Sequence, residues 1–208
     1  MLNSLNSWHI VLLLFSVLYC FIHSLLASNS FKHYINKLTR GKITNKYRLI
    51  YNFIALIGLL PITIILFAHP GAEIWDWPHP MLMNIISVFA IVGFLYTLKY
   101  YNASEFIGIS AFKETTLFVI SPLHRFVRHP WYFLALIIIW CRDINIAYLI
   151  TAGVFTLYFI LGSYLEEKKL IEIFGSKYEF YQQNVPMLIP NPFRFLSISD
   201  LSLLTQKK

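Results

Sequence analysis

Long apolar runs constrain the fold of this chain more than any other feature. A helix needs about 20 mostly apolar residues to cross the hydrocarbon core of a bilayer, and residues 8–28, 49–68 and 81–100 each provide such a run. Two further apolar segments, residues 131–141 and 144–165, follow a mixed stretch. Charged residues make up only 13% of the 208 residues, against about 25% in a soluble domain. The sequence therefore predicts an all-α, polytopic transmembrane bundle of about five membrane segments.

The last two segments are unequal in length. At the rise of an α-helix, residues 131–141 cover roughly 16 Å and residues 144–165 roughly 33 Å. One helix through both would measure roughly 50 Å, which is too long for one crossing of a core about 30 Å thick. A turn at residues 142–145 is more economical, so we expect a helical hairpin. Its short arm then begins below the membrane surface, at the segment RFVRHP (residues 125–130).

The basic residues predict the orientation. Six of them, with no acidic residue among them, lie between the first two spans: Lys32, Lys37, Arg40, Lys42, Lys46 and Arg48. The next loop carries Glu73 and Asp76 but no Lys or Arg. Because basic loops stay in the cytoplasm, we expect the N-terminus outside and residues 101–129 and the C-terminal extension inside, in a bacterial inner membrane. This orientation explains most of the net charge of +7, so we expect no nucleic-acid partner.

The beginning of the chain does not look like a cleavable signal peptide. The first nine residues, MLNSLNSWH, carry no Lys or Arg, and the apolar run after them is too long for a signal-peptide core. We therefore expect the first apolar run to remain as a membrane span.

Fixed positive charge stands directly before the short apolar arm. Arg128 and His129 precede Pro130, a residue favoured at the first position of a helix because its missing N–H would be unpaired there. Helix N-termini favour anions and mildly disfavour cations. Two interpretations stay open: an anionic ligand lies between these side chains and the free backbone N–H groups, or Arg125 and Arg128 extend to lipid phosphates.

Two neighbouring carboxylates end the long arm. Glu166 and Glu167 point about 100° apart on a helix, so that one can face the bundle while the other pairs sideways. The alternative is a solvated helix end, with Lys168 and Lys169 complementing the helix dipole. In a hairpin the basic and acidic clusters lie on the same side of consecutive arms, so we expect them to meet. A ligand carrying both a carboxylate and an ammonium would suit that meeting point.

Other site patterns are absent from the sequence. The seven histidines include no HExxH motif, and the eight glycines form no Rossmann or P-loop fingerprint, so we predict no metal and no nucleotide site of these types. Cys20 and Cys141 lie in apolar segments and define no disulfide framework. Polar residues inside the spans, such as His23 and Asn52, are typical of helix–helix hydrogen bonds.

Two coupled motifs resemble a known superfamily. VRHPWY (residues 127–132), then the hairpin, then EEKKLIEIFGSKYEFYQQNVPMLIP (residues 166–190) resembles the membrane-embedded methyltransferases related to isoprenylcysteine carboxyl methyltransferase and phospholipid methyltransferases. Upstream, HSLLASNSFKHYINK, YRLIYN and SEFIGIS are similar to the branch of NnrU and methanethiol S-methyltransferase. The motifs stand in the order and at the separation of that superfamily.

The resemblance implies S-adenosyl-L-methionine as cofactor. In the superfamily the second glutamate of the pair binds the cofactor's amino end, which transfers to Glu167, while Glu166 would orient the neighbouring basic residues. Leu134 departs from the family pattern, which has a small residue there. The implied cofactor contacts are His129, Pro130, Tyr132, Glu167, Tyr178 and Tyr181, and the implied catalytic residues are Arg128 and Glu166.

Several functions remain open under this resemblance. A small thiol such as methanethiol is the favoured methyl acceptor, ahead of a prenylated cysteine carboxylate and a phospholipid amine. The partners expected are a small or lipophilic acceptor and membrane lipid. A non-enzymatic NnrU-like accessory protein, a transporter and a reductase of the sterol reductase type are the alternatives. We expect one domain over residues 1–208, with three transmembrane helices up to residue 100, a cofactor-binding region at 101–196 and a tail at 197–208.

Overall fold

The computed structural model describes residues 5–100, 104, 107–109 and 121–205. A short antiparallel strand pair, β1 (Glu73–Trp75) and β2 (Ile144–Asn145), and 3-10 turns at Thr44–Lys46 and Pro122–Arg125 accompany the helices. Over the described residues the α-helices are α1 (Ser7–Ala27), α2 (Asn29–Leu38), α3 (Tyr47–Ala68), α4 (Pro80–Leu98), α5 (Pro130–Trp140), α6 (Ile146–Phe174), α7 (Ser176–Asn184) and α8 (Ile198–Thr205).

Four helices, α1, α3, α4 and α6, are long and apolar enough to cross a membrane, and α5 is a shorter apolar helix of 11 residues. This confirms the polytopic helical bundle, and the protein is an integral membrane protein. The helix α3 runs unbroken through Pro61. The helix α6 continues past the predicted end at Leu165 to Phe174, because Leu170, Ile171 and Phe174 pack against a C-terminal apolar cluster.

One compact unit comprises Met1–Pro80, Asn102–Lys113 and Asp143–Phe155. Within it α1 and α3 run antiparallel, with the start of α3 beside the end of α1. The Tyr47 hydroxyl donates to the Leu26 carbonyl (2.7 Å), and the Tyr51 hydroxyl lies 2.6 Å from Nε2 of His23. The predicted helix–helix role of His23 is therefore confirmed. Asn52 instead donates its amide to the Ile107 carbonyl (2.8 Å). The buried core of this unit consists of Leu12, Ile62, Ile65 and Ala147.

The strand pair of this unit was not predicted, because three residues are too few to show an alternating pattern. Glu73 pairs with Asn145, and the backbone N–H of Trp77 donates to the Asp143 carboxylate (2.9 Å). Just before β1, Gly71 has a φ of +75°, and a Cβ there would lie 2.7 Å from Nε2 of His9. Both the backbone conformation and the contact require glycine at this position.

The other compact unit comprises Met81–Tyr101, Glu114–Arg142 and Thr156–Lys208. The expected hairpin is present: the Trp140 indole donates to the Thr156 hydroxyl (3.0 Å), and the ring of Tyr132 stacks on that of Phe159. Leu134, the departure from the family pattern, is buried with its methyl groups over Gly93 of α4. Leu134 is thus accommodated by packing against α4.

Part of the expected tail forms α8, whose Leu204 is buried. Leu204 belongs to an apolar cluster with Tyr178, Tyr181, Val185 and Leu196. The expectation of one domain over residues 1–208 stays a prediction. Most of residues 101–120, including part of the SEFIGIS segment, lies outside the described residues.

Candidate functional site

The two sequence motifs of the superfamily are joined by backbone hydrogen bonds. The N–H of Arg128 donates to the Pro186 carbonyl (2.9 Å), and the N–H of His129 donates to the Met187 carbonyl (3.1 Å). Pro130 begins α5 as expected and is buried. His129 stands at the cap position but makes no side-chain cap bond, so its ring is available to face α6.

Arg128 is directed inward. Its Nε and Nη2 donate to the two carboxylate oxygens of Glu167 (2.6 and 3.1 Å), and its Nη1 donates to the carbonyls of Gln182 (3.0 Å) and Val185. The two paired side chains are only 10% and 6% exposed. The interpretation in which Arg128 extends to lipid phosphates is therefore wrong, because the side chain is paired inside the protein.

His129 lies between the two glutamates. Its Nε2 is 3.0 Å from Oε1 of Glu167, and its Nδ1 is 3.5 Å from Oε2 of Glu166. Burial disfavours charge on the ring, but hydrogen bonds to Glu166 and Glu167 outweigh it and raise the pKa of His129. The imidazole is thus stabilised as a cation, and the basic and acidic clusters meet as the sequence predicted.

The two glutamates differ in burial, as their angular separation on the helix predicts. Glu167 is buried and also accepts from the Gln182 side chain (2.7 Å), whereas the Glu166 side chain is 51% exposed. The contacts that orient Arg128 belong to Glu167, although the resemblance gives the orienting role to Glu166. The exposed carboxylate of the pair is that of Glu166, and the cofactor roles implied for Glu166 and Glu167 stay predictions.

Tyr132 extends the site along α5. Its ring is nearly parallel to those of His129 and Phe159, with centroid distances of 5.6 and 5.0 Å. Its hydroxyl oxygen would lie 3.8 Å from a Cβ built on Gly162. The three rings form one stack beside the charged network.

The side chains of Tyr178 and Tyr181 lie in the protein interior. Both are buried in the C-terminal apolar cluster, and the Tyr181 hydroxyl donates to the His124 carbonyl (2.7 Å). Their implied contact with a cofactor stays a prediction, and the contacts seen here support the turn before α5.

Two residues at the site were missed by the sequence reasoning, His124 and Gln182. Nδ1 of His124 accepts from the backbone N–H of Ser121 (3.2 Å) and lies 2.7 Å from its hydroxyl, so that the neutral ring carries its proton on Nε2. Burial, followed by the charge of His129, lowers the pKa of His124 to about 4 against a smaller opposing effect of Glu166. The spacing Ser121–Pro–Leu–His124, a capping-box pattern, could have indicated the turn.

Several curated proteins named methanethiol S-methyltransferase are similar to this chain. The chain is 44% identical over 70 residues to methanethiol S-methyltransferase of Pseudomonas deceptionensis, covering 33% of this chain and 27% of that protein. It is 28% identical over 188 residues to the enzyme of that name from Crocosphaera subtropica (81% and 69%), and 28% identical over 197 residues to methanethiol S-methyltransferase 1 of Bradyrhizobium diazoefficiens (87% and 66%).

The chain thus spans at most about two thirds of the length of these relatives. No solved structure matches it significantly. The family model described as NnrU protein matches residues 11–184. Because this match covers most of the chain, the protein belongs to the NnrU family.

Proposed function

We propose that this protein is an S-adenosyl-L-methionine-dependent membrane methyltransferase whose acceptor is a small thiol such as methanethiol. The observation that carries the proposal is the network in which Arg128 and His129 meet Glu166 and Glu167. The names of the relatives support the reaction type and the acceptor.

The chemistry of the site residues fits this methyl donor, which carries an ammonium, a carboxylate and a sulfonium. Glu166 offers an exposed carboxylate whose ion pair within the described residues is the 3.5 Å contact with His129, which suits an ammonium. The Nε2–H of neutral His124 suits a carboxylate. The aromatic stack of Tyr132 and Phe159 suits a sulfonium, because ring faces attract cations.

Arg128 acts in this proposal as a positioning residue. Its donors are engaged by Glu167 and by two backbone carbonyls, so its charge is not available to lower the pKa of an acceptor thiol. It fixes Glu167, and Glu167 in turn fixes His129. Among the four charged residues of the network, Glu166 is the one whose side chain is exposed.

The bound cofactor would supply an electrophilic methyl carbon for in-line transfer to the acceptor sulfur. The chain's own contribution is to hold the reactants in place and to limit water, which accounts for a large part of the rate of such a displacement. The acceptor must react as a thiolate, and its proton leaves to solvent.

We propose the orientation predicted by the basic loop. In it the N-terminus is outside and the site opens to the cytoplasm, in a bacterial inner membrane. Reporter fusions after residue 40 and after residue 78 test this, since only the first should report a cytoplasmic location. The reverse result would overturn the orientation.

Identification of the methylated product tests the proposed function. Membranes containing the full chain are incubated with methyl-labelled cofactor and one of three acceptors: methanethiol, a farnesylated cysteine or phosphatidylethanolamine. We expect labelled dimethyl sulfide, whereas a base-labile ester or a labelled lipid would identify another acceptor class. No labelled product from any of them would contradict the proposal and favour the accessory-protein alternative.

A further inference from the structure

Helices α1 and α3 line an open apolar groove with a volume of about 190 Å³ in the first compact unit. Phe15, Leu18 and Ile22 line it from α1, and Ala55 and Gly58 from α3. The Tyr19 ring packs so closely on Gly58 that a Cβ there would lie 3.0 Å from it. The small residues of α3 thus create a groove in the surface of a membrane-spanning pair.

The groove has the length of one leaflet. Its lining extends along α1 from Phe15 to Leu26, which is roughly 16 Å at the helical rise. This is about half of the roughly 30 Å hydrocarbon core. Its walls are almost wholly apolar, apart from His23 at one end, whose ring is bonded to Tyr51. Its dimensions and polarity suit one acyl chain.

The His23 end of the groove adjoins the most basic segment of the protein. Leu26 of the groove accepts the hydroxyl of Tyr47, the residue that begins α3 directly after Lys46. Residues 32–48 carry six Lys and Arg side chains, and the first acidic residue of the whole sequence is Glu73. Lys37, Arg40, Lys42 and Lys46 are exposed.

The basic segment has a defined shape. The N–H of Gly41 donates to the Asn36 carbonyl (2.9 Å), and Arg40 and Gly41 have φ angles of +51° and +78°. The Thr44 hydroxyl donates to the Asn36 side chain and closes the turn. Arg40 and Lys42 therefore flank a turn of defined conformation within the basic segment.

Helix α2 completes this surface. Its apolar residues recur at helical spacing (Phe31, Tyr34, Ile35 and Leu38), yet no residue of α2 is buried. An exposed amphipathic helix with basic residues is typical of a membrane interface, and basic clusters beside a membrane span favour anionic lipids.

We propose that this unit binds an anionic phospholipid, with the headgroup held by the basic segment of residues 32–48 and one acyl chain in the α1–α3 groove. Charge complementarity selects the headgroup, and the groove selects a chain-bearing ligand over free phosphate. The inference is independent of the proposed methyl transfer.

Native mass spectrometry of the purified full chain tests this proposal, with phosphatidylglycerol and phosphatidylcholine of identical acyl chains offered in equal amounts. Wild type should retain one phosphatidylglycerol in preference to phosphatidylcholine. The double variant Arg40→Gln/Lys42→Gln should lower that preference roughly 5- to 30-fold. The matched control Lys168→Gln/Lys169→Gln removes two exposed charges elsewhere and should keep it.

A second variant pair tests the groove. Ala55→Phe fills it and should reduce retention of both lipids, whereas Leu56→Phe, at an exposed position of the same helix that does not line the groove, should not. Ala55→Leu serves the same purpose if the larger ring disturbs helix packing, as judged by the melting temperature. Equal retention of both lipids by wild type, or wild-type retention in the charge and groove variants, would overturn the proposal.

Discussion

Arg128 and Glu167 form a bidentate ion pair inside the protein, with guanidinium nitrogens 2.6 and 3.1 Å from the two carboxylate oxygens. The pair joins the turn before α5 to α6, and Arg128 adds α7 through the Gln182 carbonyl. Three segments that are distant in sequence therefore depend on one buried contact. Breaking such a pair is costly because the remaining charge stays buried without its counter-ion.

Removal of the Glu167 carboxylate should destabilise the protein strongly. We expect Glu167→Ala to lower the free energy of unfolding by about 3 to 5 kcal/mol, measured by reversible denaturation in mild detergent. The control Glu172→Ala changes an exposed carboxylate of the same helix and should stay within about 0.5 kcal/mol of wild type. Equal effects of the two substitutions would show that the pair is not a structural contact.

The protein should lose stability in acid through His124. The pKa of His124 is about 4 in the folded protein, against an ordinary value of 6.5. Between these values the unfolded chain binds a proton that the folded chain does not, so stability falls as pH falls from about 6.5 to about 4, by up to about 3 kcal/mol. His124→Asn should show a smaller loss across this window in thermal melts. A loss as steep as that of wild type would exclude His124 as its source.

His129 should act in the opposite direction. Because its carboxylate neighbours raise its pKa in the folded state, its stabilising contribution is complete below about pH 6.5 and is lost as pH rises through the higher folded value. Melts above pH 6.5 should therefore show declining stability in wild type and a flatter profile in His129→Asn. An unchanged profile in the variant would contradict a charged His129.

Two glycines offer a matched comparison of strain and contact. Both have positive φ, +75° at Gly71 and +54° at Gly175, but a Cβ at Gly71 would lie 2.7 Å from His9, whereas none would meet a neighbour within 4 Å at Gly175. We expect Gly175→Ala to cost about 1 kcal/mol and Gly71→Ala clearly more. Melting temperatures of the two variants measure the difference. Equal losses of stability would show that the His9 ring can move aside for the added methyl group.

The hairpin and the meeting of charges were predictable from the sequence. The short apolar run at residues 131–141 could not span the membrane alone. Its length therefore predicted that residues 125–130 lie beside the end of the long arm. Two hydrogen bonds confirm this arrangement. One joins Trp140 to Thr156, and the other joins Arg128 to Glu167.

The burial of Glu167 and the exposure of Glu166 could not be predicted. Helical geometry states that the two point about 100° apart, but only the packing of α6 determines which of them is buried. The strand pair β1–β2 is likewise set by tertiary structure, because its two short strands are far apart in the sequence. The turn at Ser121–His124 is different: its capping-box spacing is local and was overlooked.

Binding of S-adenosyl-L-methionine to the full chain in lipid nanodiscs, measured by titration calorimetry, is the decisive experiment for the proposed site. Wild type and Glu172→Gln should bind saturably at one site, and Glu166→Gln should lose at least about tenfold in affinity while its melting temperature stays that of wild type. Absence of saturable binding in wild type, or unchanged affinity in Glu166→Gln, would contradict the assignment.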